Sequence, residues 1–71
     1  MELRRILSKN VFKRRKELGF TQEELAHRAD IDRTWVSTIE TCKSGVTVDV
    51  IERVAKALEI EAADLLRIGA D

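Results

Sequence analysis

Arg33, Thr34, Ser37 and Thr38 fall on one side of a helix by the 3.6-residue period. An arginine can hold the O6 and N7 of a guanine with two parallel hydrogen bonds. Serine and threonine hydroxyls reach bases or phosphates, and the threonine methyl packs on a thymine methyl. The first residues of such a helix are those that meet base edges when it lies in a major groove. The chemistry these four side chains offer is recognition of a base pair, with no bond made or broken. An ordinary polar helix surface is the plain alternative for the same residues.

Other side chains nearby fit the same surface. Trp35 is the one tryptophan; it either lies over a sugar-phosphate, donating its ring N–H, or sits half-buried between helices. Gln22 opens the preceding helix, where free backbone N–H groups bind phosphate. Its amide either adds a donor to the same oxygen or braces a recognition side chain. Lys43 and Ser44, in a loop with Gly45, would position the backbone without reading sequence. Arg28, Lys9, Lys13 and Lys16 are further phosphate candidates. Arg15 and Glu40 both fall next to apolar positions, as a buried ion pair between two helices would, or as two separate surface charges. His27 has no second histidine at metal-ligand spacing, and Cys42 has no partner cysteine, so no metal site is expected. No nucleophile-base-acid set, paired catalytic carboxylates or phosphate-binding glycine loop is present. Neither an enzyme, a cofactor nor a small-molecule ligand is indicated.

The elements that must position these residues are helical throughout. The 71 residues contain no proline and suit a single domain, 1–71. A first helix is predicted from Leu3 to Leu18, with Leu3, Leu7, Val11 and Leu18 on one face. Gly19 ends it with the left-handed residue that costs glycine little. Thr21 caps the second helix, with Glu24 three residues on as a capping box and Phe20 and Leu25 at the staple positions. Leu25, Ala26 and Ala29 form its narrow inner face. Asp30-Ile31 is the turn and Asp32 the next cap. In the third helix Val36 and Ile39 face inward while Arg33, Thr34, Ser37 and Thr38 face away. Thr47 caps a fourth helix, with Asp49 in its first turn and an apolar stripe of Ile51, Val54, Ala55 and Leu58. A fifth, Glu61 to Arg67, carries Leu65 and Leu66, with Ile68 just beyond. The expected fold class is all-α, a compact five-helix bundle.

Net charge is zero, but its distribution is uneven. Residues 1–43 hold ten basic and seven acidic side chains, a net +3; residues 44–71 hold three and six, a net −3. One end would face phosphates and the other be repelled by them. The lone cysteine suits a reducing, cytoplasmic setting. No apolar run is long enough for a bilayer, so no membrane partner is expected.

Together these residues resemble the lambda-repressor-like, Cro-type helix-turn-helix regulators. The resemblance runs from Val11 to Leu66. It is carried by Arg15 with Gly19, Thr21-Gln22, Leu25-Ala26, Ile31-Asp32, Val36-Ser37, Ile39-Glu40, Thr47, Ile51, Ala55 to Leu58, Ile60 and Leu65-Leu66. It implies five helices, the second and third forming the DNA-reading unit. It also implies transcription control by a homodimer on a palindromic operator of double-stranded DNA, with RNA polymerase a candidate partner. By this resemblance Gln22 would hold the DNA backbone, Arg33, Thr34 and Thr38 would read bases, and Arg15–Glu40 would be a buried brace. The stretch Asp32-Arg33-Thr34-Trp35 is most similar to the small controller proteins of restriction–modification systems.

The chain departs from the family at Asp30, Cys42 and Glu59, where glycine is common. Thr41, Val46 and Arg14 stand where Arg, Pro and an apolar residue are frequent. Leu65, Leu66, Ile68, Val48 and Val50 are the candidate dimer interface, with some of them expected in the monomer core. Phe12 falls opposite the apolar stripe, as simple exposure or a subunit contact. An antitoxin-like protein-interaction module and a phage-type repressor are the competing readings.

Overall fold

The computed structural model describes residues 2–68. Five helices follow in order: α1 Glu2–Leu18, α2 Gln22–Ala29, α3 Arg33–Glu40, α4 Val48–Ala57 and α5 Ala62–Leu65. The first four start or end where short-range chemistry says they should. The hydroxyl of Thr21 accepts from Glu24 N at 3.0 Å, Asp32 accepts from Thr34 N at 2.9 Å, and Thr47 accepts from Val50 N at 3.2 Å. Each satisfies an amide that the first turn leaves without a helical partner.

The same geometry closes α1 through α4. Each ends in a left-handed residue whose successor donates back to the carbonyl five residues earlier. The donors are Phe20 to Arg15, Ile31 to Ala26, Lys43 to Thr38 and Ile60 to Ala55, at 3.0–3.3 Å. The left-handed residues are Gly19, Asp30, Cys42 and Glu59, with φ of 74°, 57°, 58° and 61°. These are four Schellman closures, of which only Gly19 uses the residue suited to it. The departures from family pattern at Asp30, Cys42 and Glu59 therefore leave the turn geometry intact.

The core joins Leu7 and Val11 of α1, Leu25, Ala26 and Ala29 of α2, Val36 and Ile39 of α3, Val54 and Ala55 of α4, Leu58 and Leu65. Ala26 and Ala29 keep the inner face of α2 slim, so that α3 and α4 pack closely on it.

The structure corrects three sequence expectations. Leu3 does not join the apolar face; it is 48% exposed. Glu2, Arg4 and Arg5 are exposed too, so the first turn of α1 runs past the packed layer. The fifth helix is a single turn, bounded by an extended Glu61 without a side-chain cap and by Leu66. At its end Asn10 Nδ2 reaches the carbonyls of Asp64 and Leu65 from α1. Third, Leu65 is 0% exposed. It belongs to the monomer core and offers no surface to a second subunit.

The long first helix does more than contribute leucines. Ser8 Oγ donates to the carbonyl of Glu40 at 2.9 Å, Arg14 Nε to that of Leu58 at 3.0 Å, and Asn10 Nδ2 to those of Leu65 at 2.9 Å and Arg67 at 3.1 Å. Those of Glu40, Leu58 and Leu65 are helix-end acceptors that no turn of their own helix satisfies, and that of Arg67 lies just beyond α5. Arg14, which stands where an apolar residue is common, is thus spent on the end of α4. From α4, Arg53 Nη1 does the same for the carbonyl of Asp30 at 3.0 Å.

Candidate nucleic-acid interface

α2, the Asp30-Ile31 turn and α3 form one rigid unit, held from behind. Its anchor is Glu40, the last residue of α3. The carboxylate takes Arg15 Nε at 2.7 Å and Nη2 at 2.9 Å, and Gln22 Nε2 at 3.0 Å. The side chains of Arg15 and Glu40 are 9% and 6% exposed. Arg15 Nη1 also donates to the carbonyl of Phe20 at 2.8 Å. One carboxylate thus joins the end of α1, the start of α2 and the end of α3. The Gln22 amide is thus directed to the carboxylate of Glu40, which ties the first residue of α2 to the end of α3.

With α3 fixed from behind, its outer side is set. Val36 and Ile39 point into the core. Arg33, Thr34 and Trp35 are exposed, and Ser37 and Thr38 are half-buried beside them. Trp35 is 37% exposed. The face therefore offers guanidinium donors, an indole N–H and hydroxyls along two turns. Asp32 orders its start, accepting both the backbone N–H and the hydroxyl of Thr34, each at 2.9 Å. These contacts, and Arg33 nearby, hold the Asp32 carboxyl below the usual aspartate range, chiefly through the backbone N–H of Thr34.

Beyond α3, Thr41 Oγ1 donates to the carbonyl of Ser37 at 2.7 Å. Lys43 and Ser44 follow in an exposed loop on the same end. The guanidinium of Arg4 lies over Gly45, with Nη2 3.4 Å from where a Cβ would stand. Cys42 Sγ meets the carbonyl of Arg4 at 3.6 Å. The protruding turn of α1 thus packs against the loop that carries Lys43.

Arg28 is held on the surface of α2. Its Nε meets Glu24 Oε2 at 2.7 Å, and its guanidinium carbon lies 4.4 Å from the centre of the Phe20 ring. Phe12 is half exposed, with Arg15 and Lys16 over its ring at 5.4 and 5.9 Å. Of the apolar residues named for an interface, Val48 and Ile68 are each 78% exposed. Val50 and Leu66 are half-buried against the core. Sequence reasoning missed Ser8 and Asn10; the one clue was their position beside Leu7 and Val11, where a polar residue must find a partner. Among the described residues, no three His, Cys, Asp or Glu side chains gather as a metal site. No helix there is long and apolar enough to cross a membrane.

Comparison with known proteins places this geometry. The family model described as helix-turn-helix matches residues 11–65. A hypothetical transcription factor of Neisseria meningitidis serogroup B is 38% identical over 65 residues, 92% of this chain and 61% of that protein. Control protein C.BamHI of Bacillus amyloliquefaciens is 42% identical over 48 residues, 68% of this chain and 59% of that protein. The chain thus spans about three fifths of the length of these two curated relatives. A mutant of C.Esp1396I, solved bound to its highest-affinity operator site, superposes with a TM-score of 0.80 at 35% identity, over 89% of this chain and 83% of that one.

Proposed function

This chain belongs to the helix-turn-helix family of the Cro and lambda-repressor type, and on that premise we propose that it is a sequence-specific DNA-binding transcription regulator. It acts as a homodimer on a palindromic operator, in the manner of a restriction–modification controller protein, and it works in the cytoplasm. The observation that carries this reading is the outer face of α3, with Arg33, Thr34, Trp35, Ser37 and Thr38 held outward by the Arg15–Glu40–Gln22 brace. That face has the shape and chemistry of a helix that enters a major groove.

Arg33, Thr34, Ser37 and Thr38 contact bases. Trp35, Lys43, Ser44, Arg28 and the start of α2 at Gln22 contact the sugar-phosphate backbone. One such unit covers too few base pairs for useful selectivity. Two copies about 34 Å apart on one face of the duplex supply it. Val48 and Ile68, the most exposed large apolar residues among those described, lead the surface that joins them, with Val50 and Leu66 at its edge. RNA polymerase is the partner through which such a regulator acts at a promoter.

Selection of binding sites from random duplex DNA tests this reading, run at two salt concentrations. A twofold-symmetric consensus with half-sites about one helical turn apart, and affinity that falls steeply with salt, is the expected result. A folded protein that enriches no sequence would overturn it and favour a protein-interaction module.

A further inference from the structure

The hydroxyl of Thr34 is already committed. Its Oγ1 lies 2.9 Å from Asp32 Oδ1. An ionised carboxylate can only accept, so the hydroxyl must be the donor, and it has one hydrogen to give. What remains on that oxygen is lone-pair density. Asp32 stays ionised to lower pH than an ordinary aspartate, since the amide and hydroxyl of Thr34 both bind its charged form. Thr34 is exposed at the second position of α3, next to Arg33. Arg33 is the opposite case, a side chain with donors alone.

Resting on the DNA-reading role proposed above, we propose that Thr34 reads its base as a hydrogen-bond acceptor and selects an exocyclic amine, N4 of cytosine or N6 of adenine. Those are the only base donors in the major groove; guanine O6 and N7 and thymine O4 all accept. An acceptor of the base set against the Thr34 oxygen leaves both without a hydrogen. Asp32 therefore does two things: it caps α3, and it fixes the polarity of a reading side chain. Arg33 and Thr34 form an adjacent donor–acceptor pair, so the half-site places an acceptor-rich base, guanine, beside an amine-bearing one. The competing possibility is that Thr34 reads thymine through methyl contact.

Two near-isosteric variants separate these. Thr34→Val keeps the methyl shape and loses the oxygen; Thr34→Ser keeps the oxygen and loses the methyl. Both retain the backbone N–H that Asp32 caps, and a thermal melt confirms that each is folded. Site selection from random duplexes is run with the parent chain and both variants. The expected result is an adenine or cytosine at one half-site position for the parent and for Thr34→Ser. Thr34→Val loses that preference by about 3- to 10-fold, the value of one hydrogen bond, and keeps the rest of the consensus. Asp32→Asn, whose amide can donate to the hydroxyl and free its hydrogen, broadens the same position to guanine and thymine. Thymine at that position, unchanged in Thr34→Val, would overturn the proposal. A parent chain that enriches no sequence removes the DNA-reading role itself, a failure distinct from wrong polarity.

Discussion

Arg15 grips Glu40 in a two-bonded fork, Nε to Oε2 at 2.7 Å and Nη2 to Oε1 at 2.9 Å, with less than a tenth of either side chain exposed. The pair spans 25 residues of sequence and joins the first helix to the end of the third. Burying two charges is costly, so the pair adds little net stability, while removing one partner strands the other. Glu40→Ala is expected to cost about 3–5 kcal/mol, read by urea unfolding. Replacing Arg15 and Glu40 together with apolar residues should recover much of that loss. A double variant as unstable as the single one would count against the account.

Arg33 and Lys43 should fail differently. On the proposed reading, Arg33→Ala costs about 1–3 kcal/mol of discrimination and relaxes one half-site position. Lys43→Ala weakens all sequences alike and shallows the dependence of affinity on salt. Equilibrium binding to matched and mismatched duplexes at several salt concentrations separates the two patterns.

Three of the four helix closures use a residue poorly suited to φ near 60°. Cys42→Gly and Glu59→Gly should each stabilise the fold by about 0.5–1 kcal/mol, since relief of left-handed strain exceeds the added chain entropy. Asp30→Gly should gain less, because aspartate tolerates this conformation better and its carboxylate meets Arg53 at 3.5 Å. Gly19→Ala, at φ 74° with nothing within 4 Å of the added carbon, should lose about 0.5–1 kcal/mol, the left-handed strain less the chain entropy glycine costs. Thermal melts resolve these, at about 4–8 °C per kcal/mol for a domain this small.

Leu65 and Ile68 separate folding from assembly. Leu65→Ala removes a side chain with no exposed surface and should cost about 2–5 kcal/mol. Ile68→Asp should leave the monomer folded, because 78% of that residue already faces solvent, and should shift the proposed dimer toward monomer. Circular dichroism reads the first effect and analytical ultracentrifugation the second. A folded, unchanged dimer for Ile68→Asp would place the interface elsewhere.

Asp32 gives a pH dependence of definite sign. Its folded pKa lies below the ordinary value because Thr34 donates twice to the carboxylate. Such a group stabilises the fold fully above its unfolded pKa, and that stability is lost as pH falls through the folded one. The start of α3 should therefore keep its cap through neutral and mildly acidic conditions. It should loosen only below the usual aspartate range. The carboxyl carbon shift of Asp32, followed by NMR, checks this; a midpoint at or above the ordinary value would refute it.

What could be read from the sequence was what depends on neighbours a few residues away. Thr21, Asp32 and Thr47 reveal themselves as caps because their partners lie two or three positions ahead. The polar face of α3 follows from its period. The end of α3 was harder, because Cys42 occupies a left-handed site that side-chain preference argues against; only the surrounding turn imposes it. Ser8, Asn10 and Arg14 were not legible as helix-end donors. Their acceptors lie 32, 55 and 44 residues away, and nothing local specifies them. Leu65 was misplaced for a related reason. An apolar run near the end of the chain reads alike as core or interface until tertiary packing decides between them.

The cross-chain caps donated by α1 also set the order in which this protein can become itself. During synthesis the first helix leaves the ribosome with Arg14 and Asn10 lacking the acceptors they hold at Leu58 and Leu65. Those arrive only with residues 58–65, after the fourth helix. A nascent chain ending at Ala57 has the sequence of four helices and the whole DNA-reading unit, yet α1 remains unlocked from α4 and α5. The locking of α1 is thereby tied to residues 58–65. A product ended before residue 58 should stay loose and open to proteolysis, a poor competitor for DNA.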